Sequence, residues 1–182
     1  IIAVTGTRGK TTTTNWIGHF LNRANHRAVV SGNSYVEPLL KTLDKVSHFD
    51  YAVNEIPSYH LEFFTRGIPP PAVAIITNLF QDHLNRHGTM SGYAMAKAAI
   101  FKNQSASQSL VLNYDNKWTR FFIKQKPLAK TWLFSVRPLP KKINGIFYNN
   151  GRVYFQDDDS AVPVLNAGNF GKKWGSHNLQ NL

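Results

Sequence analysis

The chain has 182 residues, 42% of them hydrophobic and 13% aromatic, enough to bury one full core and short enough to expect one domain. It contains no cysteine, which excludes a disulfide framework, Cys-ligated metal and thiol nucleophiles. Lys and Arg number 21 against 10 acidic residues, a net charge of +11 that could mark a nucleic-acid surface. The basic residues are scattered, however (Arg23, Arg27, Lys41, Lys45, Lys102, Lys117, Lys124, Lys126, Lys130, Lys141, Lys142, Lys172, Lys173), and form no single helical stripe, so a multiply phosphorylated substrate or a basic proteome accounts for them as well. No secretory pattern opens the chain and no long apolar run follows, so a cytoplasmic protein without membrane or nucleic-acid partners is expected.

The first element sets the theme. Ile1 to Thr5 is an apolar, β-branched run, Gly6-Thr7-Arg8-Gly9 a glycine-bounded turn, and Lys10-Thr11-Thr12 the start of a helix. Backbone N–H groups at such a turn point at an anion, Lys10 can reach the β/γ-phosphates, and the Thr11 hydroxyl is placed to ligate Mg²⁺. The general Walker form would put Gly or Ala where this chain has Val4, so the loop is a shorter variant. The competing reading is a strand-to-helix turn that merely contains Gly and Lys.

Thr12 to Ala24 carries Trp16, Ile17, Phe20 and Leu21 at helical spacing, which predicts a face packed on a sheet. Arg27 to Ser31 reads as a short strand, Gly32-Asn33-Ser34 as a loop, and Pro38 to Lys45 as a helix. Asp50 to Glu55 is the next strand and ends on a carboxylate; Ser58 to Phe64 reads as a short helix. Ala72 to Thr77 is an uninterrupted apolar run of the kind found in parallel strands buried on both faces. Asn78 to Gly88 reads as a polar loop, and Ser91 as the N-cap of a helix running to Lys102. Strands at Ser109 to Asn113 and Thr131 to Ser135 flank a helix from Asp115 to Lys124. Alternating strands and helices predict an α/β fold, a Rossmann-like, mostly parallel sheet flanked by helices, with ligands at the carboxyl ends of the strands. The candidate residues lie at those ends: Gly6 to Lys10, Gly32-Asn33, Glu55, and Asn78 to His83.

The last third differs. Ile146 to Phe155 alternates around Asn149-Asn150-Gly151, a hairpin signal, and Val162 to Leu165 can add an edge strand, giving a small antiparallel β appendage near the C-terminus. Asp157-Asp158-Asp159 lacks spaced ligands and reads as a solvated turn. Ile1 already lies within a strand, and Gly175 to Leu182 looks like a helix with no room to continue, so a cut from a longer chain is expected.

Four segments together resemble the central ATPase domain of the Mur ligases. They are Gly6 to Thr12; Asn54-Glu-Ile-Pro-Ser-Tyr-His-Leu-Glu62; Asn78 to Gly88 with Tyr93 to Phe101; and His177-Asn-Leu-Gln-Asn181. The second and third look most like the members that add D-glutamate to UDP-N-acetylmuramoyl-L-alanine. The resemblance covers the whole chain. It implies the middle domain, residues 1–182, of a three-domain monomeric enzyme of peptidoglycan precursor synthesis, with a nucleotide-sugar and an amino acid as partners. Its chemistry would be transfer of the γ-phosphoryl of ATP to a carboxylate, making an acyl phosphate that an amine then attacks.

Residue by residue, the resemblance implies that Gly6, Thr7, Arg8, Gly9, Lys10, Thr11 and Thr12 bind the nucleotide phosphates. Asn178 and Asn181 would contact the base, and Asn33 the substrate. Two Mg²⁺ ions are implied, the first held by Thr11 and Glu55, the second near His83 and Lys97. Lys10, Glu55, His83 and Lys97 are the implied catalytic set, Lys97 as a CO₂-derived carbamate, because an unmodified lysine would face a cation with a cation. Taken alone, Lys97 reads as an exposed helix lysine and His83 as a loop histidine. Arg8 stands where Asn is usual, a feature shared with poly-γ-glutamate synthases; Tyr35 replaces a glycine, Asn85 an Asp, Pro57 a Ser and His60 a Gln. A folylpolyglutamate- or poly-γ-glutamate-type ligase, and a P-loop module without ligase chemistry, therefore stay open.

Overall fold

A computed structural model of the chain describes residues 1–32, 48–64, 67–168, 170–175 and 178. Nine strands form one sheet: β1 (Ile2–Thr5), β2 (Ala28–Ser31), β3 (Tyr51–Glu55), β4 (Val73–Ile76), β5 (Ser109–Asn113), β6 (Lys130–Ser135), β7 (Gly145–Asn149), β8 (Arg152–Asp157) and β9 (Ser160–Asn166). Their order is β2-β3-β1-β4-β5-β6-β7-β8-β9. Strands β1 to β7 pair in parallel and β7, β8 and β9 pair antiparallel. The chain leaves β1 for the far edge, returns beside it as β3 and crosses to its other side as β4, so β1 lies at the switch point where an α/β sheet opens a crevice for ligands.

The described helices are α1 (Lys10–Arg23), α2 (Ser58–Leu61), α3 (Leu84–His87), α4 (Met90–Ala98), α5 (Thr119–Lys124) and α6 (Phe170–Trp174). The core runs from β1 and β4 through α4 to β5, β6 and β7, joining Ala3, Ile76, Leu79, Tyr93, Ile100, Leu110, Phe122 and Phe147. The antiparallel strands expected near the C-terminus are present, and they continue the main sheet, because β7 pairs in parallel with β6 before the hairpin turns. The hairpin turns at Asn150 and Gly151, both at positive φ (46° and 80°) as a tight turn of this hand requires.

Four local expectations are corrected. The buried residues of α1 are Thr14 and Gly18, while Phe20 is exposed and Trp16 meets Phe170 edge-on. Small residues allow α1 to lie close over Val30, and Trp16 is left half-buried. The stretch from Asn78 to Gly88 is not loop throughout, since its last part coils into α3. Helix α4 is capped by Thr89, whose Oγ1 accepts from Gly92 N at 3.0 Å, so the helix starts before Ser91. The helix expected from Asp115 begins only at Thr119, because the side chains of Asn113 and Asn116 accept the N–H groups of Asp115 and Trp118 in an intervening turn. The helix expected at Pro38 to Lys45 lies outside the described residues.

Candidate active site

The crevice is built by register. Parallel pairing places Val4 opposite Glu55 on one side and Ile75 on the other, so the turn after β1 is flanked by the ends of β3 and β4. Gly6, at φ 152°, passes so near β4 that a Cβ would run into Thr77 Oγ1. Gly9 is left-handed at φ 80° and precedes α1 directly, a conformation that suits glycine at the point where the N–H groups opening a helix have no intrahelical partners. Thr7 N donates to Asn78 O at 3.0 Å. Arg8 N donates to Asn78 Oδ1 at 2.9 Å, and Arg8 O accepts from Asn78 Nδ2 at 3.0 Å and from Thr77 Oγ1 at 2.7 Å. The buried pair Thr77 and Asn78 therefore holds the loop open by satisfying its polar backbone from below.

On the β3 side, Thr11 Oγ1 donates to Glu55 Oε2 at 2.5 Å, and Lys10 Nζ lies 3.9 Å from Glu55 Oε1 and 3.3 Å from Thr7 O. The Thr11 hydroxyl and the Glu55 carboxylate, the latter with an ammonium neighbour, form a hard-oxygen pair at the mouth of the loop. On the β4 side, the Lys97 side chain is driven under the loop. Its Nζ donates to Gly6 O at 3.1 Å and to Thr5 Oγ1 at 3.3 Å, and lies 4.7 Å above the Tyr93 ring. At 1% exposure Lys97 is not the surface lysine that helical position alone suggests. Burial, with the Lys10 charge nearby, pulls its pKa down to about 7, so near neutrality a substantial share of the amine is uncharged.

His83 is exposed and left-handed (φ 51°), with N donating to Asp82 Oδ1 at 2.9 Å and its ring edge-on to Tyr93 at 6.0 Å. Thr12 lies in the first turn of α1, half-buried. The structure thus brings together Gly6 to Thr12 and Glu55, with Lys97 beneath and His83 at the β4-side rim. Asn178 lies past α6, its N–H donating to Gly175 O at 3.1 Å. Asn33 and Asn181 lie outside the described residues. Among the described residues, no three His, Cys, Asp or Glu side chains approach closely enough to cage a metal ion by themselves.

Thr77 and Tyr93 carry no individual role in the sequence pattern, and Asn78 entered only as the start of a candidate segment. Tyr93 is buried, its hydroxyl 3.4 Å from Thr7 Oγ1, and one ring meets the loop, His83 and Lys97. The available signal was the spacing of Tyr93 and Lys97, four apart and on one helical face.

A family profile described as the Mur ligase middle domain matches residues 4–182. The UDP-N-acetylmuramoylalanine–D-glutamate ligase of Clostridioides difficile (strain 630) is 38% identical over 180 residues, 99% of this chain and 38% of that ligase. The ligase of the same name from Alkaliphilus oremlandii is 39% identical over 181 residues, again 38% of its length. The chain therefore spans little more than a third of these relatives. In three dimensions it is similar to a solved UDP-N-acetylmuramoyl-L-alanyl-D-glutamate–2,6-diaminopimelate ligase, with a TM-score of 0.74 and 25% identity, covering 100% of this chain and 41% of that one. The β1-centred crevice, the short glycine-bounded loop and a profile match over all but the first three residues together make this chain a member of the Mur ligase middle-domain family.

Proposed function

We propose that the chain is the central ATP-binding domain of a three-domain, cytoplasmic enzyme of peptidoglycan precursor synthesis, one that joins D-glutamate to UDP-N-acetylmuramoyl-L-alanine. The observation that carries the reading is the convergence of Lys10, Thr11 and Glu55 at the mouth of the loop, in a chain 38% and 39% identical across its length to enzymes of that name. A carboxylate resists attack by an amine because its leaving group would be oxide; phosphorylation by ATP replaces that leaving group with phosphate. The protein's share of such a transfer is positioning and charge neutralisation.

The residues fit the groups this requires. The loop N–H groups and Lys10 suit the β- and γ-phosphates, and the hydroxyl of Thr11 with the carboxylate of Glu55 suits a Mg²⁺ that keeps water and phosphate oxygens in the rest of its shell. Lys97 fits a carbamate: its neutral amine would attack the carbon of CO₂ and give up one proton to water, replacing a buried amine with an anion that would support a second Mg²⁺ near His83. Thr5 Oγ1, at 3.3 Å, is a hydroxyl able to donate to that anion. Asn33 is assigned to the acid substrate, and Asn178 and Asn181 to the base.

The test is ATP-dependent phosphate release by the full-length protein with UDP-N-acetylmuramoyl-L-alanine and D-glutamate. Turnover with that pair is expected; turnover only with another acid or amine would overturn the substrate assignment. Loss of activity in Lys97→Ala, partly restored by short-chain carboxylic acids, is expected of the carbamate; normal activity in that variant would refute it. A second reading, a poly-γ-glutamate- or folylpolyglutamate-type ligase, draws on Arg8 alone.

A further inference from the structure

We infer that His87 is a positioning residue of this site, one imidazole that fixes the end of β3 relative to the phosphate loop. The inference rests on the ligase reading above and concerns a residue to which that reading gives no role.

His87 ends α3, a helix of four residues with no buried member, so hydrophobic packing does not explain its placement. Its ring makes two contacts of different kinds. At the edge, Nε2 lies 3.1 Å from Ser58 Oγ. Ser58 is buried and opens α2, three residues beyond Glu55, and the intervening Ile56 N donates to Val4 O at 2.8 Å. On the face, the imidazole stacks on Tyr93 with centroids 5.0 Å apart and planes 23° from parallel. The Tyr93 hydroxyl lies 3.4 Å from Thr7 Oγ1, which in turn accepts from Phe80 N at 3.0 Å. The same ring carries Lys97 Nζ at 4.7 Å and meets the His83 ring edge-on. His87 N also donates to His83 O at 3.1 Å, so one helical turn sets both histidines.

Two segments that share no helix, Glu55 to Leu61 and Thr7 to Lys10, are thus referenced to one ring, the first at its edge and the second, through Tyr93, at its face. A hydrophobic residue could reproduce the stack but would leave the buried Ser58 hydroxyl without this partner. An amide could reproduce the hydrogen bond but not the stack. In-line phosphoryl transfer depends on sub-ångström placement, and an error of about 1 Å can lower the rate by roughly 100-fold. Nucleotide affinity, carried by loop N–H groups and Lys10, depends on this linkage much less. The signature of His87 is therefore a fall in kcat at nearly constant nucleotide KM.

The test uses the full-length protein, with wild type, His87→Phe, Ser58→Ala and the double variant compared for ATP-dependent phosphate release and for Tm. His87→Phe is expected to lower kcat by about 10-fold or more while nucleotide KM changes by less than about 3-fold. Ser58→Ala is expected to do the same, and the double variant to be no worse than the weaker single, since both remove one link. Near-wild-type kcat in His87→Phe, multiplicative losses in the double variant, or losses that track only the unfolded fraction would each overturn the positioning role. An inactive wild type would overturn the ligase reading and this inference with it, whereas an active wild type with unaffected variants would overturn this inference alone.

Discussion

Thr11 Oγ1 and Glu55 Oε2 are 2.5 Å apart although 44 residues separate them in the chain, and the sheet register that sets Glu55 opposite Val4 is what joins them. The carboxylate that ends one strand meets the hydroxyl that opens the helix after its neighbour. Several consequences can be measured.

Replacing Glu55 with Gln keeps the shape and one acceptor oxygen but removes the negative charge beside Lys10. In the full-length protein, kcat is expected to fall roughly 10²–10³-fold, the scale of removing one preorganised electrostatic group. The Mg²⁺ concentration for half-maximal activity is expected to rise. A Mg²⁺ titration of steady-state phosphate release checks this, and an unchanged Mg²⁺ requirement would remove Glu55 from the metal site.

Lys97 is buried first and repelled by Lys10 second, and both hold its pKa near 7. The unfolded chain keeps that proton up to about pH 10.4, so between about pH 7 and pH 10.4 the unfolded state binds more protons and this group makes stability rise with pH. Lys97→Met never carries the charge. It is expected to be more stable than wild type at pH 6, by an amount on the order of a few kcal/mol, with the gain shrinking toward pH 10.5. Urea unfolding of both proteins at the two pH values measures it. An equal difference at both would mean that the ammonium is not the source.

Gly6→Ala tests the close approach of the loop to β4. The new methyl meets Thr77 Oγ1, the hydroxyl that also holds Arg8 O, and φ at this position is one that residues with a Cβ rarely adopt. A destabilisation of about 1–3 kcal/mol is expected, together with loss of detectable ATP binding. Calorimetric titration with ATP and a thermal melt check both. Normal ATP binding in a folded variant would show that the loop has room it does not display.

Arg8 lies in the turn between β1 and α1, and its exposed guanidinium rests 5.8 Å above the Phe80 ring. Because the charge is exposed, Arg8→Asn is expected to weaken nucleotide binding only about 2- to 5-fold and to lessen its salt dependence. Binding measured at low and high ionic strength reads both effects. A loss above about 100-fold would instead require direct phosphate contact by the side chain.

Much of this architecture was legible in the chain. A β-branched run ending in glycine marked β1, an uninterrupted apolar run marked β4, a strand closing on a carboxylate marked β3, and Asn150-Gly151 marked the hairpin, because those residue types carry local backbone preferences. What was not legible depended on side chains taking over backbone work. Asn113 and Asn116 delay α5 and Thr89 displaces the start of α4, and such contacts compete with helix propensity within a few residues. On α1, Trp16 and Phe20 carried the periodic signal, but the depth of the neighbouring strand gave the buried face to Thr14 and Gly18.

The sequence by itself determined the glycine-bounded turn after β1 and the mostly parallel character of the sheet, the first from a pattern a few residues long and the second from the alternation of strands and helices. Only the tertiary structure decided which residues face the turn. Burial of Lys97 beneath Gly6, the union of Thr11 with Glu55, and the single ring of Tyr93 shared by Thr7, His83, His87 and Lys97 all cross between elements far apart in the chain. The reason is physical: a strand end has a direction only once its neighbours fix the register, and a lysine has a shifted pKa only once packing removes its water.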